Sequence, residues 1–142
     1  MLDEIILIDD DHFTNQFNRQ LIRRVLPDLP IKVFENGEDG LRYLIEAQDA
    51  QLRTLIFLDL EMPVMSGFEF LDVYENAIAY QEHYFTICLL SNHCNEVHQR
   101  LPSCSSCVLE QLPKPLTQRR LEAVVEQATQ ATSAYHNRRT FW

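Results

Sequence analysis

Three aspartates stand in a row at positions 9, 10 and 11 directly after the apolar run Ile5-Ile6-Leu7-Ile8, and a fourth, Asp59, closes the run Leu55-Ile56-Phe57-Leu58. Ser91 closes a third run, Phe85 to Leu90, and Lys114 comes soon after a fourth, Val108 to Leu112. If these runs are parallel strands, their C-terminal ends share one sheet edge, and ligands bind in the crevice beyond that edge. Carboxylates, a hydroxyl and an amine then meet on one rim. Carboxylates gathered without compensation repel one another, and one of them keeps its proton near neutral pH. A hard divalent cation removes the conflict, and Mg²⁺ takes one or two carboxylates plus a phosphate oxygen while keeping several waters. Asp10 and Asp59 read as direct ligands and Asp9 as one acting through water. A carboxylate that can attack phosphorus, a metal to neutralise phosphoryl oxygens, and Lys114 and Ser91 to bind the remaining ones make a phosphoryl-transfer site.

Such a rim needs a parallel sheet to build it. A fifth, weaker apolar run, Ile31 to Phe34, lies between segments of helical spacing, so the order is strand then helix, five times over. That alternation implies an α/β domain with helices on both faces of the sheet. Phe13, Phe17, Leu21 and Val25 recur every four positions in the first helix, which Pro27 ends. The second helix carries Leu41, Leu44 and Ile45 after a turn at Asn36-Gly37, and the third carries Phe68, Leu71, Tyr74 and Ile78. Ser66 and Glu69 form a capping box at its start. A short fourth helix is read at about Cys94 to Leu101. In the last, Leu121, Val124, Val125 and Ala128 share a face, with Thr117 as N-cap and a Leu116–Leu121 staple. Residues 1–134 are read as one domain and 135–142 as a flexible tail, in which Phe141 and Trp142 are the side chains able to dock elsewhere.

Composition narrows the function. With 12 Lys and Arg against 21 Asp and Glu, the formal charge is −9, which disfavours direct binding to nucleic-acid phosphates and points to a protein partner. No run approaches the roughly 18 apolar residues that would span a membrane, and Met1-Leu2-Asp3-Glu4 lacks a basic signal flank, so a cytoplasmic location without membrane insertion is expected. Cys88, Cys94, Cys104 and Cys107 lie close together and are expected to be reduced.

Taken together, Ile8-Asp9-Asp10-Asp11, the segment from Leu58-Asp59 to Ser66-Gly67, Leu90-Ser91 and Leu112-Pro113-Lys114-Pro115 resemble the marker segments of the response-regulator receiver family, in family order, over about residues 4 to 132. The resemblance implies a flavodoxin-like five-stranded sheet in order 2-1-3-4-5 and a two-component signalling protein of the stand-alone type. It implies Asp59 as phosphoacceptor, Asp9 and Asp10 as the acidic pair holding Mg²⁺ (or Mn²⁺), and the backbone carbonyl of Glu61 as a further ligand. Ser91 and Lys114 would bind the phosphoryl group, and Lys114–Pro115 would be cis. A sensor histidine kinase or histidine phosphotransfer protein would supply the phosphoryl group, and an unidentified protein would receive the signal. Catalysis would extend only to the protein's own phosphorylation and dephosphorylation.

Some positions depart from the family pattern. Gln111 stands where similar proteins usually carry an inward-rotating Tyr or Phe, and Asn92 where a small residue is common. Glu61 and His93 occupy positions that tune phosphoryl lifetime in the family. Met62 and Met65 read as packing residues, since thioethers are too soft for Mg²⁺. Cys94, His98, Cys104 and Cys107 could supply four zinc ligands. Cys104 and Cys107 are also spaced for a regulatory disulfide. Two other functions compete: a haloacid-dehalogenase-type phosphatase, disfavoured because Asp9-Asp10-Asp11-His12-Phe13 lacks that family's first motif, and a phosphorylation-independent binding module. A nucleotide-binding enzyme is disfavoured because none of Gly37, Gly40 and Gly67 forms a phosphate-cradling loop after the first strand.

Overall fold

The computed structural model describes residues 1–78, 84–93 and 108–139, with side chains through residue 131. The elements run β1 (Glu4–Ile8), α1 (His12–Val25), β2 (Ile31–Phe34), α2 (Gly37–Ala47), a 3₁₀ turn at Gln48–Ala50, β3 (Thr54–Asp59), α3 (Gly67–Ile78), β4 (Phe85–Ser91), β5 (Val108–Pro113) and a C-terminal helix, Gln118–Arg139. All strand pairs are parallel, in the order β2-β1-β3-β4-β5. The flavodoxin-like order expected from the sequence is therefore the one found.

Period-2 alternation divides the core between the two sheet faces. Ile6, Ile8, Ile56, Leu58, Ile87 and Leu89 pack against α2 and α3 through Leu44, Phe70 and Tyr74. Ile5, Leu7, Leu55, Phe57, Cys88 and Leu90 pack against α1 and the C-terminal helix through Ile22, Leu121 and Val124. Central strands covered on both sides are continuous hydrophobic runs, which is why they are easily read in the sequence. Leu116 and Leu121 share this second cluster, and Thr117 Oγ1 accepts from the Arg120 N–H at 3.3 Å, as the predicted cap requires.

The first helix corrects the sequence reading. Phe13 and Phe17 are 80% and 53% exposed, whereas the buried face carries Asn15, Asn18, Leu21 and Ile22. The recurrence holds for Leu21 and Val25, which join the core, but its first half, Phe13 and Phe17, faces solvent, because the backbone at the end of β1 needs a polar neighbour there: the Asn15 amide donates to the Asp9 carbonyl at 2.7 Å. Asn36, read as a turn residue, is the N-cap of α2, with its side chain accepting from the Asp39 N–H at 2.8 Å. Ile45 is exposed on that helix, and Phe70 rather than Phe68 is fully buried on α3. The C-terminal helix continues to Arg139, past the boundary read at 134, since each residue added to an established helix gains a backbone hydrogen bond. The helix read at Cys94 to Leu101, and Phe141 and Trp142, lie outside the described residues. Among the described residues no helix is long and apolar enough to cross a membrane.

The two faces of α1 differ enough to separate by measurement. Ile22→Ala should cost about 2–5 kcal/mol of unfolding free energy through cavity formation, whereas Phe13→Ser should stay within about 0.5 kcal/mol of wild type in urea unfolding.

Candidate functional site

The Asp-Asp-Asp run divides into three tasks. Asp9 is 4% exposed, and its Oδ1 accepts from the Asp11 N–H at 2.9 Å. Its backbone is fixed from two sides, by the Asp9 N–H to the Phe34 carbonyl at 3.1 Å and by the Asn15 amide on its own carbonyl. Asp10 is exposed at the rim. Asp11 caps α1, accepting from the N–H groups of Phe13 at 2.9 Å and Thr14 at 3.4 Å, and these bonds hold its pKa below the usual value, the Phe13 N–H foremost.

Asp59, 2% exposed, ends β3 beside Asp9. The chain that follows is drawn tight: the Leu60 N–H donates to the Leu90 carbonyl and the Gly67 N–H to the Leu60 carbonyl, both at 3.1 Å. Gly67 has no room for a side chain. A Cβ there would lie 2.7 Å from Leu60 Cα and 2.8 Å from the Asp59 carbonyl oxygen, and neither backbone atom can rotate away.

Lys114 completes the cluster. Its Nζ lies 2.8 Å from Asp59 Oδ1 and 3.0 Å from Asp9 Oδ2, and its N–H donates to the Ser91 carbonyl at 3.0 Å. The Lys114–Pro115 bond is cis. Burial alone would pull the lysine's pKa down, but the bonds to Asp59 and then Asp9 outweigh it and hold the ammonium above its ordinary value. Asp59 is pushed up to about 7, chiefly by burial and further by the negative charge of Asp9, against the opposing pull of Lys114.

Ser91 is fully buried at the end of β4. Its hydroxyl donates to Glu61 Oε1 at 2.5 Å and accepts from the His93 N–H at 2.9 Å. The Asn92 N–H donates to Glu61 Oε2 at 3.3 Å. Gln111 is half-buried on β5, opposite Leu89.

Asp9, Asp10 and Asp59 each offer a carboxylate oxygen, and these atoms lie within 4.8 Å of one another. The donor set fits Mg²⁺: all ligands are hard oxygens, and three carboxylates facing one ammonium leave an excess of negative charge that a divalent cation cancels. Cys94, His98, Cys104 and Cys107 lie outside the described residues. Met62 is buried in the core and Met65 packs against it.

The profile described as "Response regulator receiver domain" matches residues 5–126. The chain belongs to the response-regulator receiver family. Receiver domains are signalling phosphoacceptors of two-component systems, supplied by histidine kinases or phosphotransfer proteins, and they bind Mg²⁺ at an acidic cluster. Among solved structures, a two-component response regulator from Cytophaga hutchinsonii is similar at 26% identity and a TM-score of 0.81, over 91% of this chain and 98% of that one. The chemotaxis protein CheY4 from Vibrio cholerae is similar in fold at 20% identity and a TM-score of 0.70, over 90% and 99%. A CheY-like receiver domain protein from Methanospirillum hungatei shares the fold at 17% identity and a TM-score of 0.72, over 94% and 99%. No curated protein sequence matches significantly.

The structure brings Asp9, Asp10, Asp59 and Lys114 into one cluster, with Ser91 joined to it through the backbone and through Glu61. Sequence reasoning missed one contributor, Asn15, and the partners of another, Glu61. Nothing in the residue pattern singles out Asn15 except a polar side chain on what proves to be a buried face. The side chain of Glu61 drew attention only by its position, without its partners.

The burial of Asp59 has a direct consequence for receiver stability. Because its pKa in the folded state lies above the unfolded value near 3.8, stability is lost as pH rises from there through about 7. In EDTA, Asp59→Asn should therefore melt higher than wild type by roughly 3–6 °C at pH 7.5, with the gap closing toward pH 4.5; a gap that widens on acidification would contradict this account. Gly67→Ala should cost about 1–3 kcal/mol in urea unfolding, because the added methyl meets backbone.

Proposed function

We propose that this receiver domain accepts a phosphoryl group on Asp59 from a phosphohistidine donor and switches or relays to a protein partner. The observation that carries the reading is the burial of Asp59 between Lys114 and Asp9 at the rim. Asp59 Oδ1 accepts both from Lys114 at 2.8 Å and from the Glu61 N–H at 3.1 Å. Its Oδ2 accepts no hydrogen bond among the described residues and is the oxygen suited to attack. Attack forms the O–P bond while the P–N bond of the donor breaks, its electron pair leaving with the imidazole nitrogen. Lys114 then moves its ammonium from the carboxylate to a phosphoryl oxygen, and the Ser91 hydroxyl binds another.

Asp9, Asp10, Asp59 and the Glu61 carbonyl are the groups that would hold Mg²⁺, which when bound supplies neutralisation of the phosphoryl oxygens. Asp59 is acceptor and ligand together, and the Asp9–Lys114 ion pair keeps the rim in register. We also read residues 1–134 as the signalling unit.

Intact-protein mass after incubation with acetyl phosphate and Mg²⁺ tests the proposal. One phosphoryl adduct is expected on wild type, absent with EDTA and absent in Asp59→Asn. Lys114→Ala should slow adduct formation by at least about tenfold, the scale of a lost charge-assisted contact to the phosphoryl group. If neither acetyl phosphate nor a phosphohistidine donor gives an adduct on folded, Mg²⁺-binding protein, the reading gives way to phosphorylation-independent binding.

A further inference from the structure

Phosphoryl transfer to Asp59 leaves one arrangement at the rim unexplained. Glu61 is exposed, yet it turns its carboxylate back onto the end of β4, where Oε1 meets the Ser91 hydroxyl at 2.5 Å and Oε2 the Asn92 N–H at 3.3 Å. The His93 N–H, donating to Ser91 Oγ at 2.9 Å, orients that hydroxyl so that its own proton points at Glu61. A hydroxyl and a backbone amide converging on two anionic oxygens form an oxyanion seat.

We propose that the Glu61 carboxylate is an internal stand-in for the phosphoryl group, holding the seat formed by Ser91 and Asn92 until phosphorylation of Asp59 displaces it. The inference rests on the phosphoacceptor reading above and adds a positioning residue to it. The two occupants are mutually exclusive. Both are anions that accept from the Ser91 hydroxyl, so they cannot share its one proton, and their charges repel. Glu61 is also fixed close by: its N–H bonds Asp59 Oδ1, so the competing carboxylate is intramolecular and its effective concentration is high. Because the side chain is exposed, release exchanges its bonds for bonds to water without stranding a buried charge. Glu61 is thus a displaceable competitor that raises the donor concentration needed to phosphorylate the domain. The Asn92 side chain, exposed to solvent, is not required; its backbone N–H makes the contact.

The test compares wild type with Glu61→Ala and Glu61→Gln. With acetyl phosphate and Mg²⁺, Glu61→Ala should form the Asp59 adduct about tenfold faster at sub-saturating donor, the scale of a charge-assisted hydrogen bond released. The gain should lie in the half-saturating donor concentration, with the limiting rate little changed. Glu61→Gln keeps the length but sets an amide NH₂ against the Asn92 N–H, so its rate should fall between the two. In metal-free protein, the backbone amide resonances of Asn92 and His93 should shift in Glu61→Ala without donor, a readout that separates loss of the contact from a general change in activity. Adduct formation in Glu61→Ala at the wild-type rate or slower, or unmoved Asn92 and His93 resonances, overturns the inference while leaving Asp59 as acceptor. No adduct on any of the three proteins overturns the phosphoacceptor reading and this inference with it.

Discussion

Asp9 and Asp59 place two carboxylates out of water at the ends of adjacent strands, and the domain can keep them there only because Lys114 reaches both. This is the contact on which the rim depends. It is also the most demanding in topology, since Lys114 follows β5 while Asp9 follows β1, and in the order β2-β1-β3-β4-β5 the ammonium must cross the ends of β4 and β3. Removing the lysine from such a cluster leaves two buried carboxylates uncompensated, which is far costlier than losing a surface ion pair. The same tension gives the site its chemistry: a cluster with more carboxylates than cations is unfinished electrostatically, and a divalent ion or a phosphoryl group with its metal changes the balance at once.

The three central strands were legible because each is apolar on both sides, and the site aspartates were legible because strand ends in a parallel sheet collect at one edge. Ser91 and Lys114 gained meaning only jointly with them. The helices were less transparent, for different reasons. On α1 the apolar recurrence at Phe13 and Phe17 ran along the wet side, since the dry side had to supply the Asn15 amide to the Asp9 carbonyl. A periodicity argument weighs hydrophobicity and cannot see that a backbone group needs a donor. On α2, Asn36-Gly37 carries the signature of a turn, and its role as helix cap depends on where the Asp39 N–H falls. Glu61 illustrates the deepest limit. Its neighbours in sequence identify the loop, but its partners Ser91 and Asn92 lie about thirty residues on, and only the pairing of β3 with β4 brings them within reach.

Ser91 is consequently a point of convergence for the whole rim. Its carbonyl accepts from the Lys114 N–H, its hydroxyl meets Glu61, and its oxygen orients through His93. One backbone hydrogen bond, from the Lys114 N–H to the Ser91 carbonyl, is a direct route between the end of β4 and the chain leading to Lys114. That route does not use an aromatic residue at position 111, where this chain has a half-buried glutamine on β5.

The stretch from Glu61 to Ser66 is anchored at both ends, at Leu60 by β4 and at Gly67 by Leu60 itself. Between these anchors Pro63 and Val64 face solvent, Val64 at 84% exposure. The arrangement resembles a clasp with a free bow: the geometry of Asp59 is set where the clasp closes, and at the bow Pro63 and Val64 can change without disturbing the acceptor. The outer surface of this loop can therefore diverge to suit different neighbours while the chemistry a few residues away is left as it was.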